Sequence, residues 1–292
     1  MKYVFIKAHA KQCPIRFMLS LFNLNKSGYY LWLQQLISKR AQRECEIDAL
    51  IKLVFAQHKS RYGASRIALN IKEFHGIAVK RSYVAKRMQL LGLHAKARRK
   101  FKVTTDSNHT LPIAENLLQQ DFTPKQHNEK WVTDITYIRT QEGWVYLCVF
   151  IDLYSRAVIG WSMDKNINKQ LVCKGLNMAL WRRGFPKNVI VHSDRGSQYC
   201  SKQYQQLLEQ HALRCSMNGK GCCYDNAACE SFFHTLKVEL VHDENYQSRQ
   251  QAKASLFEYI NIYYNRKKTH SAIQYMTPEQ FENTIHKVDF VA

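Results

Sequence analysis

Three carboxylates lie in or next to apolar runs, where an unpaired negative charge would destabilise the fold unless it binds a partner. Asp134 lies inside the strand-like run WVTDITYI, and Asp194 follows three β-branched residues in VIVHSDRGSQY. Glu230 lies in the helix-like run DNAACESFFHTLKVEL. A carboxylate at the mouth of a buried strand costs free energy unless it is paired or binds a cation. Capping of the next turn or helix is the alternative interpretation for Asp194.

The three side chains could converge on divalent metal ions. Between Asp134 and Asp194 lie 59 residues, and between Asp194 and Glu230 lie 35. Paired metals about 4 Å apart clamp the attacking and leaving oxygens of a phosphoryl displacement. Oxygen-only ligands favour Mg²⁺, which keeps several waters and takes one or two carboxylates. We therefore predict that all three residues are both catalytic groups and metal ligands, holding two Mg²⁺ ions with Mn²⁺ as a substitute.

These three blocks resemble the catalytic blocks of the DDE transposases of bacterial insertion sequences, relatives of the retroviral integrases. The spacing of 35 residues before Glu230 matches that superfamily. The resemblance is closest to the catalytic protein that certain insertion sequences encode in their second reading frame. It covers nearly the whole chain, including the tail YNRKKTHSAIQYMTP. The pair Cys222-Cys223 is a local departure, because such proteins often have one Cys or a polar residue there.

The resemblance implies a transposase that cleaves DNA and transfers strands at the ends of its own mobile element. Its partners would be double-stranded DNA, both element ends and target, and further copies of itself in a homo-oligomer on DNA. It also allows a frameshift fusion to an upstream-frame protein. Two other functions stay open. A ribonuclease H-type nuclease would share the metal chemistry, and a non-catalytic DNA-binding regulator would keep the helices and the charge.

The composition is strongly basic. Lys and Arg total 43 against 23 Asp and Glu, which gives a formal charge of +20. An excess of this size indicates a polyanionic partner, and it favours nucleic acid over an anionic membrane surface. The apolar runs are too short to span a bilayer, and residues 1–10 lack the apolar region of a signal peptide. The nine scattered cysteines form no CxxC pair and indicate free thiols rather than a zinc site. We predict a cytoplasmic, nucleoid-associated protein.

The elements that must position the carboxylates follow from the apolar periodicity. From residue 125 the predicted order is three strands, a helix and the Asp194 strand, with bounds 131–138, 144–152, 155–163, 169–182 and 189–191. This order predicts a mixed sheet flanked by helices, and it matches the ribonuclease H-like fold of the resembled family. Asp152 lies at a turn, where an Asp favours local hydrogen bonds, so we interpret it as structural.

We predict an α/β protein: a ribonuclease H-like catalytic core with a mixed sheet, preceded by small all-helical DNA-binding domains. The segments are 1–45, an N-terminal helical segment; 46–93, a helix-turn-helix-like DNA-binding domain; 94–124, a basic linker with a docking helix; and 125–292, an integrase-like core with a C-terminal helical tail. Within the first segment, two short helices are expected in 14–36, with Phe17, Leu21 and Leu24 on one buried face. A DNA-binding motif and a plain helical hairpin are both open there.

Cations cluster at four places that could contact DNA phosphates. Glu230, His234 and Lys237 recur at helical spacing, so a cation would share the face of a metal ligand. The predicted DNA-binding residues are Lys80, Arg81, Lys86 and Arg87 on the third helix of 46–93, Arg98, Arg99 and Lys100 in the linker, His234 and Lys237 on the Glu230 helix, and Arg266, Lys267 and Lys268 in the tail. A solvated basic surface without a partner is the alternative for each group.

Overall fold

The computed structural model describes residues 2–34, 39–96, 113–219 and 226–289, and for Lys39 and 285–289 it describes the backbone alone. The chain forms two compact units, Met1–Ala95 and Lys96–Ala292. Two features of the sequence lie outside the described residues: the linker cations Arg98, Arg99 and Lys100, and the pair Cys222-Cys223.

The first three helices pack around a small apolar core. They are α1 (Lys2–His9), α2 (Ile15–Leu21) and α3 (Lys26–Gln34). The buried side chains are Ile6, Met18, Leu19 and Tyr29. The two helices predicted in 14–36 are confirmed, but the predicted buried face is wrong, since Phe17 and Leu21 are 60% and 70% exposed. Ile6 of α1 packs with Met18 and Leu19 instead, and this contact decides which face of α2 is buried.

Three longer helices complete the first unit. They are α4 (Lys39–Gln57), α5 (Ala64–His75) and α6 (Arg81–Leu90). Their core contains Ile51, Ile67, Ile71, Val84 and Met88, all buried. Gly76 ends α5 in a left-handed conformation with φ of 68°, which glycine adopts without strain. The segment boundary predicted at residues 45/46 falls inside α4, and the division into four segments stays a prediction.

The second unit is built on a five-stranded mixed sheet of order β3-β2-β1-β4-β5. The strands are β1 (Lys130–Thr140), β2 (Gly143–Asp152), β3 (Val158–Asp164), β4 (Ile190–Ser193) and β5 (Arg214–Met217). The first three form antiparallel hairpins, whereas β4 pairs in parallel with β1 and β5 pairs in parallel with β4. The third strand begins at Val158 rather than at the predicted residue 155, because the N–H of Arg156 donates to the carbonyl of Asp152 (2.8 Å) and closes a turn.

Helices cover both faces of this sheet. One face is covered by α7 (Lys169–Arg183) and α8 (Lys202–Gln210), which provide the crossovers that parallel strands need. The other face is covered by α9 (Ala227–Glu239), α10 (Arg249–Glu258) and a π-helix (Tyr259–Tyr264). Each face carries its own apolar core, so the sheet is a buried central layer.

The docking helix predicted before the sheet is wrong for the residues that the structure describes. Residues 113–122 form no helix. The N–H of Leu117 donates to Ser216 Oγ (2.8 Å), and the N–H of Met217 donates to the carbonyl of Glu115 (3.3 Å). The segment therefore runs beside the edge strand β5. Asn116 Oδ1 accepts the N–H groups of Leu118 and Gln119, a local bonding pattern that competes with helix formation.

The chain closes with α11 (Pro278–Asp289). Thr277 Oγ1 accepts the N–H of Gln280 (3.1 Å) and caps the helix, and Pro278 occupies its first position, where a proline loses no intrahelical hydrogen bond. None of the described helices is both long and apolar enough to cross a membrane.

Candidate active site

The pairing of β1 with β4 brings two of the three predicted carboxylates together. The parallel register runs from Lys130 opposite Ile190 to Val132 opposite His192. Two residues further along, the same register sets Asp194, the first residue past β4, beside Asp134. Neighbouring strands lie about 4.8 Å apart, and side chains two positions apart share a face. Asp134 therefore lies on the face of Val132, the face that α9 covers.

Helix α9 places the third carboxylate over the same point of the sheet. Cys229, Phe233 and Leu236 of α9 are buried in one core with Val132 and Ile138 of β1. This packing fixes α9 along β1 and sets Glu230, in the first turn of the helix, near the two aspartates. The negative charges of Asp194 and Glu230 both act on Asp134. The residues of all three carboxylates are partly buried.

The crowding of like charges is visible in the pKa of Asp134. Burial raises this pKa well above its ordinary value, and the charges of Asp194 and Glu230 raise it further. The N–H of Ile135, which donates to Asp134 Oδ1 (2.7 Å), and the ammonium of Lys237 act in the opposite direction. Burial also raises the pKa of Glu230. Bound divalent cations would relieve this repulsion, because they neutralise several carboxylates at once.

The carboxylates do not form a closed set of ligands by themselves. Among the described residues, no three His, Cys, Asp or Glu side chains surround one point as metal ligands. The donor set nevertheless fits a hard cation, because its oxygens are carboxylate oxygens on three separate elements that repel one another. Asp194 Oδ1 accepts the N–H of Gly196 (3.0 Å), which orients its carboxylate within the turn after β4.

Asp152 is buried but has a different environment. Its two oxygens accept the N–H groups of Asn128 and Tyr154, each at 3.0 Å, and Arg183 Nη2 lies 3.5 Å from Oδ2. Burial raises its pKa, and the charge of Arg183 opposes the shift. These contacts hold the turn between β2 and β3, which agrees with its interpretation as a structural residue.

Lys237 is the predicted DNA contact that lies near the carboxylates. It is half-buried on α9, and its Nζ lies 4.8 Å from the ring centroid of Tyr137 on β1. Burial lowers the pKa of Lys237, whereas Tyr137 and the carboxylate of Asp134 raise it. The ammonium thus lies between the aromatic ring and the acidic cluster. His234, one turn nearer to Glu230, is partly buried.

Two of the predicted DNA contacts are engaged inside the protein instead. Lys268 is buried, with its side chain 4% exposed, and its Nζ donates to Glu239 Oε1, so its prediction as a DNA-facing residue is wrong. A buried ammonium must be paired, and Glu239 provides the partner. Arg87 Nε and Nη2 lie 2.7 and 2.5 Å from the carboxylate of Asp48. A phosphate contact by Arg87 would have to break this bidentate ion pair.

The other described contacts predicted on α6 and in the tail lie on the surface. Lys80, Arg81 and Lys86 are exposed around the start and outer face of α6. Arg266 is exposed and forms an ion pair with Glu279 (3.2 Å), and its neighbour Lys267 is exposed as well. Their roles toward DNA stay predictions.

Sequence reasoning missed three uncharged residues around the carboxylates. Thr133 precedes Asp134, Tyr199 closes the turn after Asp194, and Asn226 lies one turn before Glu230. The side chain of Asn226 makes no capping bond to α9 and donates to the carbonyl of Thr133 (3.2 Å) instead. Their position inside the three acidic motifs was the available signal.

Comparison with known proteins identifies the family. Residues 124–223 and 230–285 match models described as Integrase core domain, and residues 42–101 match an HTH-like domain. The chain is 50% identical over 285 residues to Transposase InsF for insertion sequence IS3A of Escherichia coli (strain K12), covering 97% of this chain and 99% of the relative. The chain belongs to the insertion-sequence transposases. It is a DDE-type transposase, so the predicted family, fold class and enzyme class are confirmed and the two alternative functions are not favoured.

Further relatives of this transposase span a wide range of similarity. The Insertion element IS600 uncharacterized 31 kDa protein of Shigella sonnei is 41% identical over 271 residues, covering 93% of this chain and 99% of the relative. Among solved structures, a simian T-cell lymphotropic virus intasome in complex with PP2A regulatory subunit B56 gamma has a TM-score of 0.46 at 17% identity, covering 79% of this chain and 73% of that chain. The HTLV-2 integrase catalytic core domain in complex with magnesium has a TM-score of 0.40 at 17% identity, covering 53% and 95%.

Proposed function

We propose that Asp134, Asp194 and Glu230 are the catalytic carboxylates of this transposase and hold two Mg²⁺ ions, with Mn²⁺ as a substitute. The observation that supports the proposal is the pairing of β1 with β4 up to Val132 opposite His192, which continued by two residues brings Asp194 next to Asp134. Helix α9, which bears Glu230, packs on the same face of β1. The reaction is DNA strand cleavage followed by strand transfer at the ends of the mobile element.

Both steps are direct displacements at phosphorus. In cleavage, a water oxygen forms the new bond to phosphorus while the bond to the 3′-oxygen breaks, and the released strand end takes a proton to become a 3′-OH. In strand transfer, that 3′-oxygen attacks a phosphodiester of the target, and the target's own 3′-oxygen leaves. Bound metal ions would activate the attacking oxygen and stabilise the charge on the leaving oxygen. No covalent bond between protein and DNA is needed.

The protein's own groups would bind the metal ions, hold a DNA phosphate and orient the carboxylates. The carboxylates must be ionised to bind a cation. Burial and the charges of Asp194 and Glu230 raise the pKa of Asp134, and a bound cation would favour its ionised form. Lys237, close to Asp134, supplies a positive point charge that can hold a phosphate near the scissile bond. Neutral hydrogen-bond donors such as the N–H of Ile135 keep the carboxylate oriented.

Conservative substitutions of the carboxylates test this proposal. Asp134→Asn, Asp194→Asn and Glu230→Gln should each abolish cleavage and joining of end DNA in Mg²⁺ while DNA affinity stays close to wild type. Asp152→Asn is the matched control, because Asp152 is a buried aspartate of the same sheet with structural partners. A variant of the first three that cleaves at the wild-type rate is not a ligand. Loss of chemistry in the Asp152 control without loss of folding would equally contradict the assignment.

DNA is the partner that the HTH-like and integrase core domains support. We further propose that the protein contacts DNA through Lys80, Arg81 and Lys86 and forms a homo-oligomer on paired element ends. We also propose a frameshift fusion to an upstream-frame protein and association with the nucleoid. Mass measurement of the protein alone and with end DNA tests the oligomer. A single copy on two ends at saturation would contradict it.

A further inference from the structure

Thr133 connects the three catalytic blocks. It precedes Asp134 on β1, and because side chains alternate along a strand, its side chain points to the opposite face of the sheet. There it is fully buried. Its Oγ1 is hydrogen-bonded to the hydroxyl of Tyr199 at 3.1 Å. The bond crosses from the strand of one aspartate to the turn of the other.

Tyr199 belongs to the turn that carries Asp194. The N–H of Gly196 donates to Asp194 Oδ1 (3.0 Å), and the N–H of Tyr199 donates to the carbonyl of Gly196 (2.9 Å). The aspartate and the tyrosine are thus the two ends of one hydrogen-bonded turn. The Tyr199 ring is 1% exposed and packs in the core beneath the sheet. The hydrogen bond of its hydroxyl to Thr133 connects the Asp194 turn to β1 on the face of the sheet opposite the carboxylates.

Asn226 makes the second connection. It lies just before α9, one turn ahead of Glu230, and is 4% exposed. Its Nδ2 donates to the backbone carbonyl of Thr133 at 3.2 Å, whereas its Oδ1 is buried and has no hydrogen-bond partner among the described residues. The bond to Thr133 therefore fixes the side chain through its amide nitrogen. It fastens the Glu230 end of α9 to β1.

We propose that Thr133 is a positioning residue that sets the spacing of the three carboxylates before metal binds. Its side chain holds the Asp194 turn through Tyr199, and its carbonyl holds the start of the Glu230 helix through Asn226. The inference rests on the proposed function, since it concerns the same carboxylates. The three carboxylates lie on separate elements and repel one another. Hydrogen bonds between neutral groups of these elements are therefore needed to keep the carboxylates close enough to bind the same two metal ions.

The test removes one bond at a time in the full-length chain. Thr133→Val deletes the hydroxyl and keeps the β-branched shape, and Tyr199→Phe deletes the same bond from its other end. Each should raise the Mn²⁺ concentration for half-maximal cleavage about fivefold, the equivalent of about 1 kcal/mol for one hydrogen bond. The double variant should be little worse than either single variant, because each single variant already removes the bond between the two hydroxyls. The further contacts of Thr133 Oγ1 and Tyr199 OH with Cys148 Sγ, at 3.7 and 3.8 Å, are long and weak. Thr133→Ser, which keeps the hydroxyl, should restore the wild-type requirement, and Asn226→Ala should raise it.

Tyr204→Phe is the matched control. Tyr204 is buried in the same core, its ring centroid lies 5.5 Å from that of Tyr199, and its buried hydroxyl has no hydrogen-bond partner in the described part of the chain. This variant should keep the wild-type metal requirement. A second measurement is the rise in melting temperature that Mn²⁺ causes in the DNA-free protein, which should be reduced in Thr133→Val and unchanged in Tyr204→Phe.

The outcomes separate this inference from the proposed function. If Asp134→Asn is inactive and shows no Mn²⁺-induced rise in melting temperature while Thr133→Val needs no more metal than wild type, the positioning role fails and the carboxylate assignment stands. An equal effect of Tyr204→Phe would also overturn the positioning role, because general loosening of the core would explain both. A wild-type rate in Asp134→Asn would instead remove the proposed function.

Discussion

Two aspartates of the sheet, the partly buried Asp134 and the fully buried Asp152, differ in the charges around them. Asp152 accepts two backbone N–H groups and lies beside Arg183, so the protein itself satisfies its charge. Asp134 has one backbone N–H and faces two further carboxylates. Burial raises the pKa of both residues. A raised pKa alone therefore does not distinguish a candidate metal ligand from a structural carboxylate, whereas the partners of the carboxylate differ between the two residues.

At the same scale, Lys237→Ala should impair cleavage and joining on every end sequence by a similar factor. The ammonium lies near Asp134 and can hold a phosphate, but it does not lie where a base edge would be distinguished. The melting temperature should fall only slightly, since the cation–π contact with Tyr137 contributes about 0.5–1 kcal/mol. Rates on two or more end sequences, together with thermal unfolding, check this.

Lys237→Arg serves as the control for the charge. It keeps a cation over Tyr137 and should retain much more activity than the alanine variant. A large loss of melting temperature in Lys237→Ala with normal specific activity would show that the residue is structural and that this face of α9 does not meet DNA.

At the scale of elements, α9 is held at both ends by buried polar contacts. Near its C-terminal end, Glu239 Oε1 accepts from Lys268 and Oε2 accepts the hydroxyl of Tyr259 (2.7 Å). Lys96 Nζ donates to the carbonyl of Glu239 (3.2 Å), where the helix dipole favours a cation. At the other end Asn226 bonds to β1. The helix that carries Glu230 is thus fixed along its length as well as by its apolar face.

Lys268→Met should destabilise the protein by about 3–5 kcal/mol, the usual effect of leaving one charge of a buried ion pair without its partner. Urea unfolding of the full chain measures it. The double variant Lys268→Met with Glu239→Met should recover much of the loss, because no uncompensated buried charge remains. Lys267→Met, a change at the exposed neighbour, should shift stability far less. Equal effects at the two lysines would contradict the buried ion pair.

The segment before β1 is attached through Asp121. Its Oδ2 lies 2.6 Å from Lys130 Nζ, and this bond, with those from Thr123, holds the pKa of Asp121 well below its ordinary value of 3.8. A depressed pKa stabilises the fold above the ordinary value and ceases to do so as the pH falls through the depressed one. Asp121→Asn should therefore lower the melting temperature at pH 7, and its difference from wild type should shrink below pH 3.8.

Melting curves of both proteins between neutral pH and the acid limit of folding check this dependence. Glu129→Gln is the control, since Glu129 Oε1 lies 3.9 Å from Lys130 and contributes less. A difference between wild type and Asp121→Asn that does not change with pH would show that lost packing, not lost charge, causes the destabilisation.

At the scale of the whole molecule, the charge of +20 should dominate DNA affinity. Binding of end DNA should weaken steeply with salt, because each neutralised phosphate releases condensed counterions. The double variant Lys80→Ala with Lys86→Ala should reduce the slope of log K against log salt by about 2, one unit for each lost phosphate contact. Titrations at several salt concentrations give this slope.

Lys253→Ala removes one exposed cation of α10 that is not among the predicted contacts, and its slope should match wild type. An unchanged slope in the Lys80 and Lys86 double variant would show that α6 does not meet the phosphates.

The sequence by itself determined what depends on neighbours along the chain. The strand-like and helix-like runs of the core gave bounds close to those observed, with α7 predicted at 169–182 and found at Lys169–Arg183. The three acidic motifs are local as well, so Asp134, Asp194 and Glu230 could be selected as candidates before any fold was known. The resemblance to a family depends on the same local motifs.

The tertiary structure alone shows which polar side chains are paired with other groups of the same protein. Lys267 and Lys268 are adjacent in one basic run, yet one is exposed and the other is buried against Glu239, 29 residues away. Arg87 meets Asp48 across 39 residues, and Thr133 meets Tyr199 across 66. Residues 113–122 form no helix, because their polar groups bond to β5 and to one another. Burial and hydrogen-bond pairing depend on which elements pack against each other in the folded chain. These elements are distant in sequence, so the local residue pattern does not predict the partner of a buried polar side chain.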